Sequence, residues 1–160
     1  MFFTIAGLRA FHQWTHESLD VVFEQAAKFP EDLFVRELPG FGFATVRDQF
    51  VHILEVEEGW IRNLQRLTSP MWMAADYPTV STLKDAKLRV IAGTVKYLES
   101  LSEADLNRSL KDRPPEWSGP LRSPAFILHH VLTHSFHHKG QLVSMFRMLG
   151  VPAQDSDLQR

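Results

Sequence analysis

Apolar positions recur at steps of three and four over four segments of the chain, and none of these segments alternates as a strand would. In the first, residues 4–28, Leu8, Phe11, Leu19, Val22 and Ala26 share one face, which Trp14 and Phe23 widen. Pro30 closes this helix, because proline cannot donate the backbone hydrogen bond that a further turn needs. "FPEDLF" begins the connection, and "LPGFGF" reads as turns. Thr45 is the expected cap of the second helix, with Asp48 favouring its first turn. Val46, Phe50, Ile53, Trp60, Ile61, Leu64 and Leu67 give that helix an amphipathic stripe ending before "TSP". A linker over residues 68–80 carries Pro70 and Pro78.

The third helix is expected to begin at Ser81 or Thr82 and to run to about residue 100, with Leu83, Ala86, Val90, Tyr97 and Leu101 as its stripe. "SEADL" adds a short capped turn. Residues 107–122 hold three prolines, a glycine and Trp117, and read as an ordered, irregular crossover. Ser123 then caps the last helix, with Pro124 in its first turn, where a missing N–H costs little. Gly150 and Pro152 stop it. The pattern predicts an all-α protein: one domain over residues 1–160, a four-helix bundle with long crossover connections.

Composition changes this picture little. Apolar residues make up 44% and charged residues 22% of the 160, ordinary for a globular chain able to bury a core. A formal charge of −2, with no basic run, gives no electrostatic reason to bind nucleic acid or an anionic membrane. No cysteine is present, which excludes disulfides, thiolate metal sites and a cysteine nucleophile, and suits a reducing compartment. "MFFTIAGLRAF" lacks a basic leading region and is interrupted by Arg9, so it reads poorly as a signal peptide. No apolar run is long enough to span a bilayer. A cytoplasmic protein without nucleic-acid or membrane partners is the expectation.

The candidate chemistry lies in the histidines. Of eight in the chain, five fall in "HHVLTHSFHHKGQ", residues 129–141, within the last helix. With His134 at zero, a 100° step places Ile127 at about 20°, His138 at about 40° and Val131 at about 60°. Gln141, Met145 and Leu149 fall in the same arc, so His134 and His138 sit one turn apart in the apolar stripe. Two imidazoles at this spacing can share one divalent metal; a hydrogen-bonded core pair is the alternative. His130 lies to the other side, as a contact to a ligand imidazole or to substrate, and His129 points away. A third ligand must come from another helix. His52 is the best candidate, in a row with Thr45, Gln49, Val56, Gly59 and Asn63 that either lines a cleft or faces solvent. His12 and His16 are also four apart. His12 reads as structural, and His16 as a partly exposed helix histidine or a lateral approach to the site.

"VHILEVEEGWIRNL", "HHVLTHSFHHKGQLVSMFRMLG" and "GVPAQDSDL", with "WTHESL" as a weaker match, resemble the DinB/YfiT-like, damage-inducible superfamily of four-helix-bundle metalloproteins. The resemblance covers residues 12–158. The last helix in that family typically reads H-x-x-x-H-x-x-x-H-R-G-Q, and here it stands as His130, His134, His138, Lys139, Gly140, Gln141. Lys139 replaces the arginine, which alters an ion pair or dimer contact rather than ligation, and His137 stands where tyrosine is common. The resemblance implies a divalent metal, zinc or nickel above others, held by His52, His134 and His138. It also implies a homodimer and a small-molecule substrate. Relatives include low-molecular-weight-thiol transferases, isomerases and hydrolases. A metal-dependent transferase or hydrolase is therefore one reading, and a non-enzymatic metal-binding stress or interaction protein is the other. Three protein ligands leave a position open for substrate or water. Glu55, one turn from His52, is a candidate to orient an imidazole or accept a proton, as are Glu57 and Glu58, although each also reads as a solvated glutamate. Gln141 is expected to fix an imidazole tautomer or a substrate by hydrogen bonding, and Lys139, at the helix edge, reads as an ordinary surface lysine ahead of an anion-attracting one.

Overall fold

The computed structural model describes residues 2–112 and 120–157. Helix α1, Ile5–Ala26, starts where the Thr4 hydroxyl accepts the Gly7 N–H. Helix α2, Glu31–Phe34, is a single turn after Pro30 that the apolar pattern did not predict, because four residues are too few to display a period. Helix α3, Val46–Leu64, is capped by Thr45 as expected. It ends short of Leu67 because Arg66 adopts a left-handed backbone, φ 61°, and leaves Leu67 about half exposed. A 3₁₀ turn, Ala74–Asp76, breaks the following linker.

Helix α4, Val80–Glu99, begins one or two residues before the expected start at Ser81 or Thr82. Thr79 is the cap, and Thr82 completes a reciprocal box with it. Helix α5, Glu103–Asn107, is the anticipated turn capped by Ser102. Of the crossover that follows, residues 113–119, Trp117 among them, lie outside the described residues. On either side of them the Leu110 N–H donates to the Arg122 carbonyl. Helix α6, Pro124–Met148, is capped by Ser123 with Pro124 at its start. No strand occurs among the described residues, and no helix there is long and apolar enough to cross a membrane.

Helix α3 packs on α4 and α6, and α1 packs on the same two, so α1 and α3 occupy opposite corners of a four-helix bundle. The core is divided. One apolar cluster gathers Phe23, Phe50, Leu54, Leu83 and Phe146. A second gathers Leu8, Ile61, Leu98, Leu106 and Leu128. Helices α1 and α6 run from the second cluster to the first, and α3 and α4 run the other way. Parallel neighbours cannot be joined by a tight turn, which is why residues 65–79 form a long return. Between the clusters lie His12, His16, Glu57, Thr94 and Ser135, all buried and all polar.

Candidate metal centre

The last helix buries the predicted arc. Ile127, Val131, His138 and Met145 are buried, with His134 and Gln141 half-buried beside them. His129, His130 and His137 are exposed. His52, on α3, faces this arc rather than bulk water. Its ring centroid lies 4.6 Å from that of His138 and 5.0 Å from that of His134. The donor atoms of His52, His134 and His138 all lie within 4.8 Å of one another. The Nε2 atoms of His134 and His138 are 3.1 Å apart. Two nitrogens on one tetrahedral zinc would stand about 3.3 Å apart at ordinary Zn–N lengths, so the donor set fits a divalent transition ion.

The tautomer of His138 is fixed from behind by Gln49. The Gln49 amide nitrogen donates to the Phe43 carbonyl at 3.0 Å and to Gln141 Oε1 at 2.7 Å. That orientation leaves Gln49 Oε1 to accept the His138 Nδ1–H at 2.7 Å. The lone pair of His138 is thereby placed on Nε2, towards His134. Gln141 completes the chain by donating to His137 Nε2 at 2.9 Å. The Phe43 ring lies against His52 at 3.8 Å between centroids, in a near-parallel stack.

Burial, then the neighbouring His138, lowers the His52 imidazole to about 4. Burial, followed by the other imidazoles of the cluster, lowers His134 to about 4 as well. Burial and His137 lower His138. Neutral imidazole is the form that binds metal.

A groove of about 580 Å³ opens beside His52, bounded by Glu55, Gly59, Trp60, Asn63 and Met71. Burial raises the Glu55 carboxyl above its ordinary value. That carboxyl is 4.0 Å from His52 Nδ1, a looser contact than the orienting role expected of it. The Asn63 side-chain oxygen is buried without a partner. His130 stands edge-on to Trp60, 6.3 Å between centroids, on the exposed side of the ligand candidates.

Four expectations are corrected. Glu58 accepts the Trp72 indole N–H at 2.8 Å. Glu57 is not solvated: it is 2% exposed and accepts from His12 Nε2 at 2.8 Å, His16 Nε2 at 2.9 Å and the Thr94 hydroxyl at 2.6 Å. Burial acts to raise its carboxyl, but the two histidines outweigh it and hold Glu57 well below its ordinary value. His16, expected to be partly exposed, is 4% exposed. Lys139 is not a surface lysine either. Its ammonium is buried, donating to Ser18 Oγ at 2.6 Å and to the Ser156 carbonyl at 2.7 Å, over the Phe136 ring. It cannot serve as an anion-attracting edge charge.

The signal for these residues was in the same periodicity. Glu57 is four from Ile53, seven from Phe50 and four from Ile61. His12 and His16 continue the row of Leu8 and lead to Leu19 and Phe23. The described residues thus contain two donor groups that could hold a metal ion: His52, His134 and His138, and His12, His16 and Glu57.

Comparison with known proteins agrees with the architecture. The DinB family model matches residues 3–160. The uncharacterized protein YizA of Bacillus subtilis (strain 168) is 33% identical over 91 residues, 57% of this chain and 56% of that relative's length. The crystal structure of a DinB family member from Shewanella denitrificans superposes with a TM-score of 0.55, covering 98% of this chain and 89% of that one. At 18% identity that likeness speaks for the fold alone.

Proposed function

Because the chain belongs to the DinB family, we propose that it is a metal-dependent enzyme acting on a small molecule, with His52, His134 and His138 holding a divalent transition ion. The observation that carries this reading is the convergence of three imidazoles from two helices, one with its tautomer fixed by Gln49, beside a substrate-sized groove. An ion bound there would act as a Lewis acid and lower the pKa of a coordinated thiol or water. The reaction is accordingly transfer onto a low-molecular-weight thiol, or hydrolysis.

The chain's own residues divide the remaining work. Trp60 and Met71 offer apolar wall to the substrate's hydrocarbon part. Asn63 and Ser69 give the groove polar wall, and so favour a substrate with a hydrogen-bonding group at that end. Glu55, made more basic by burial, sits in the groove wall as a proton acceptor.

Metal content of untagged protein tests the reading. His138→Ala should lower bound transition metal by one equivalent per chain, and unchanged content would remove these three residues as ligands. An electrophile-plus-thiol panel, run with and without chelator, then separates transfer from hydrolysis by the product formed.

A further inference from the structure

The second donor group lies deeper than the first. Helix α3 separates His52 from Glu57 by five residues, about 140° of rotation, so the two groups occupy different sides of that helix. His12 and His16, one turn apart on α1, turn both Nε2 atoms onto the two oxygens of the Glu57 carboxylate. Their rings meet edge-on, 4.5 Å between centroids. All three residues are at least 96% buried.

A buried ionised carboxylate needs a counter-charge. The hydrogen-bond partners of Glu57 among the described residues are His12, His16 and Thr94, so the counter-charge must come through the two imidazoles, as a proton or as a shared metal ion. Lys87, which shares a groove wall with His12 and His16, is committed to Asp20 at 2.7 Å. Two imidazoles and one carboxylate are a sufficient protein set for zinc and its neighbours. A groove of about 630 Å³ between α1 and α4 has His12 and His16 in its wall, giving an ion a route inward.

We propose that His12, His16 and Glu57 form a second divalent-metal site, independent of the His52 group, that ties α1 to α3 across the bundle diagonal. On loading, each imidazole would hold the ion through Nε2 as its neutral Nδ1–H tautomer, and any further proton on the pair would be released to solvent. The Thr94 hydroxyl stays on the carboxylate oxygen it already donates to and holds that oxygen in place. Enclosed on all sides but the groove, the site serves the fold rather than the reaction.

Chelator-stripped, untagged protein titrated with Co²⁺ tests this, with stoichiometry from metal analysis after dialysis and position from anomalous diffraction at the cobalt edge. Wild type should bind two equivalents, His138→Ala one, and Glu57→Gln one. The retained ion in His138→Ala should lie between His12, His16 and Glu57. One equivalent in wild type and none in His138→Ala overturns the second site while leaving the first. One equivalent in both, placed at Glu57, supports the second site and removes the first. Two equivalents with no anomalous peak at Glu57 also overturn it. The first two stoichiometries leave the buried group unaltered, so the result stands even if Glu57→Gln fails to fold.

Discussion

Gln49 decides which nitrogen of His138 faces its neighbours, although it reaches neither His52 nor His134 with a hydrogen bond of its own. Replacing it by leucine keeps the volume roughly constant and removes the acceptor for Nδ1–H. Outer partners of this kind are worth about 10–100-fold in metal affinity. Gln49→Leu should therefore weaken binding at the His52 group by about that factor while leaving helix content intact. Competition with a chromophoric chelator reads the first quantity and circular dichroism the second; unchanged affinity would show that the tautomer is fixed by other means. His134 and His138 were legible in the sequence because a 3.6-residue period carries them into an apolar arc. Gln49 was legible only as a member of the His52 row, and periodicity could not say whether that row lines a cleft or faces solvent. Glu57 and His16 were misread for a different reason. Their charge or polarity was weighed above their position in the apolar row, and mutual pairing, which makes burial of all three tolerable, cannot be seen until two helices are brought together.

At the level of the helices, termini were the most readable features. Thr45, Ser102 and Ser123 each accept the backbone N–H expected of a cap. The start of α4 was misplaced because Thr79, Ser81 and Thr82 all have the chemistry of a cap, and only the reciprocal bonds between Thr79 and Thr82 choose among them. The end of α6 is set by Gly150, at φ 77°, where the Gly150 N–H reaches the Arg147 carbonyl and the Val151 N–H reaches that of Phe146. No neighbour crowds a side chain there, so the cost of Gly150→Ala is conformational alone. It should destabilise the protein by about 1 kcal/mol in urea unfolding, and a neutral result would mean that the tail, rather than the glycine, dictates the turn.

Across the whole molecule, the four long helices and their long connections followed from the pattern. Which helices are neighbours did not, because amphipathic stripes say what is buried and not against what. The burial of imidazoles and of Glu57 in the bundle has a consequence for acid stability. Folding lowers the His52 and His134 imidazoles to about 4, below the ordinary value of 6.5. Between those values the unfolded chain holds more protons, so stability is full above pH 6.5 and falls as pH drops towards 4. Glu57, lowered by folding, adds stability above its ordinary 4.5 that is lost as pH falls further. Metal-free protein should show a melting temperature that is flat from pH 7 to 8 and declines steadily from pH 6.5 to 4.5. A melting temperature constant through that window would contradict the shielding of these rings. Lys139 links this interior to the chain's last described residues: its ammonium and the Ser18 hydroxyl both donate to the Ser156 carbonyl, and Gln25 accepts the Gln154 N–H. His138 precedes that lysine by one residue. An affinity label fused after residue 157, or a protease that trims the segment, therefore acts on the peptide that seats the lysine beside a proposed ligand, and a purification handle belongs at the other end.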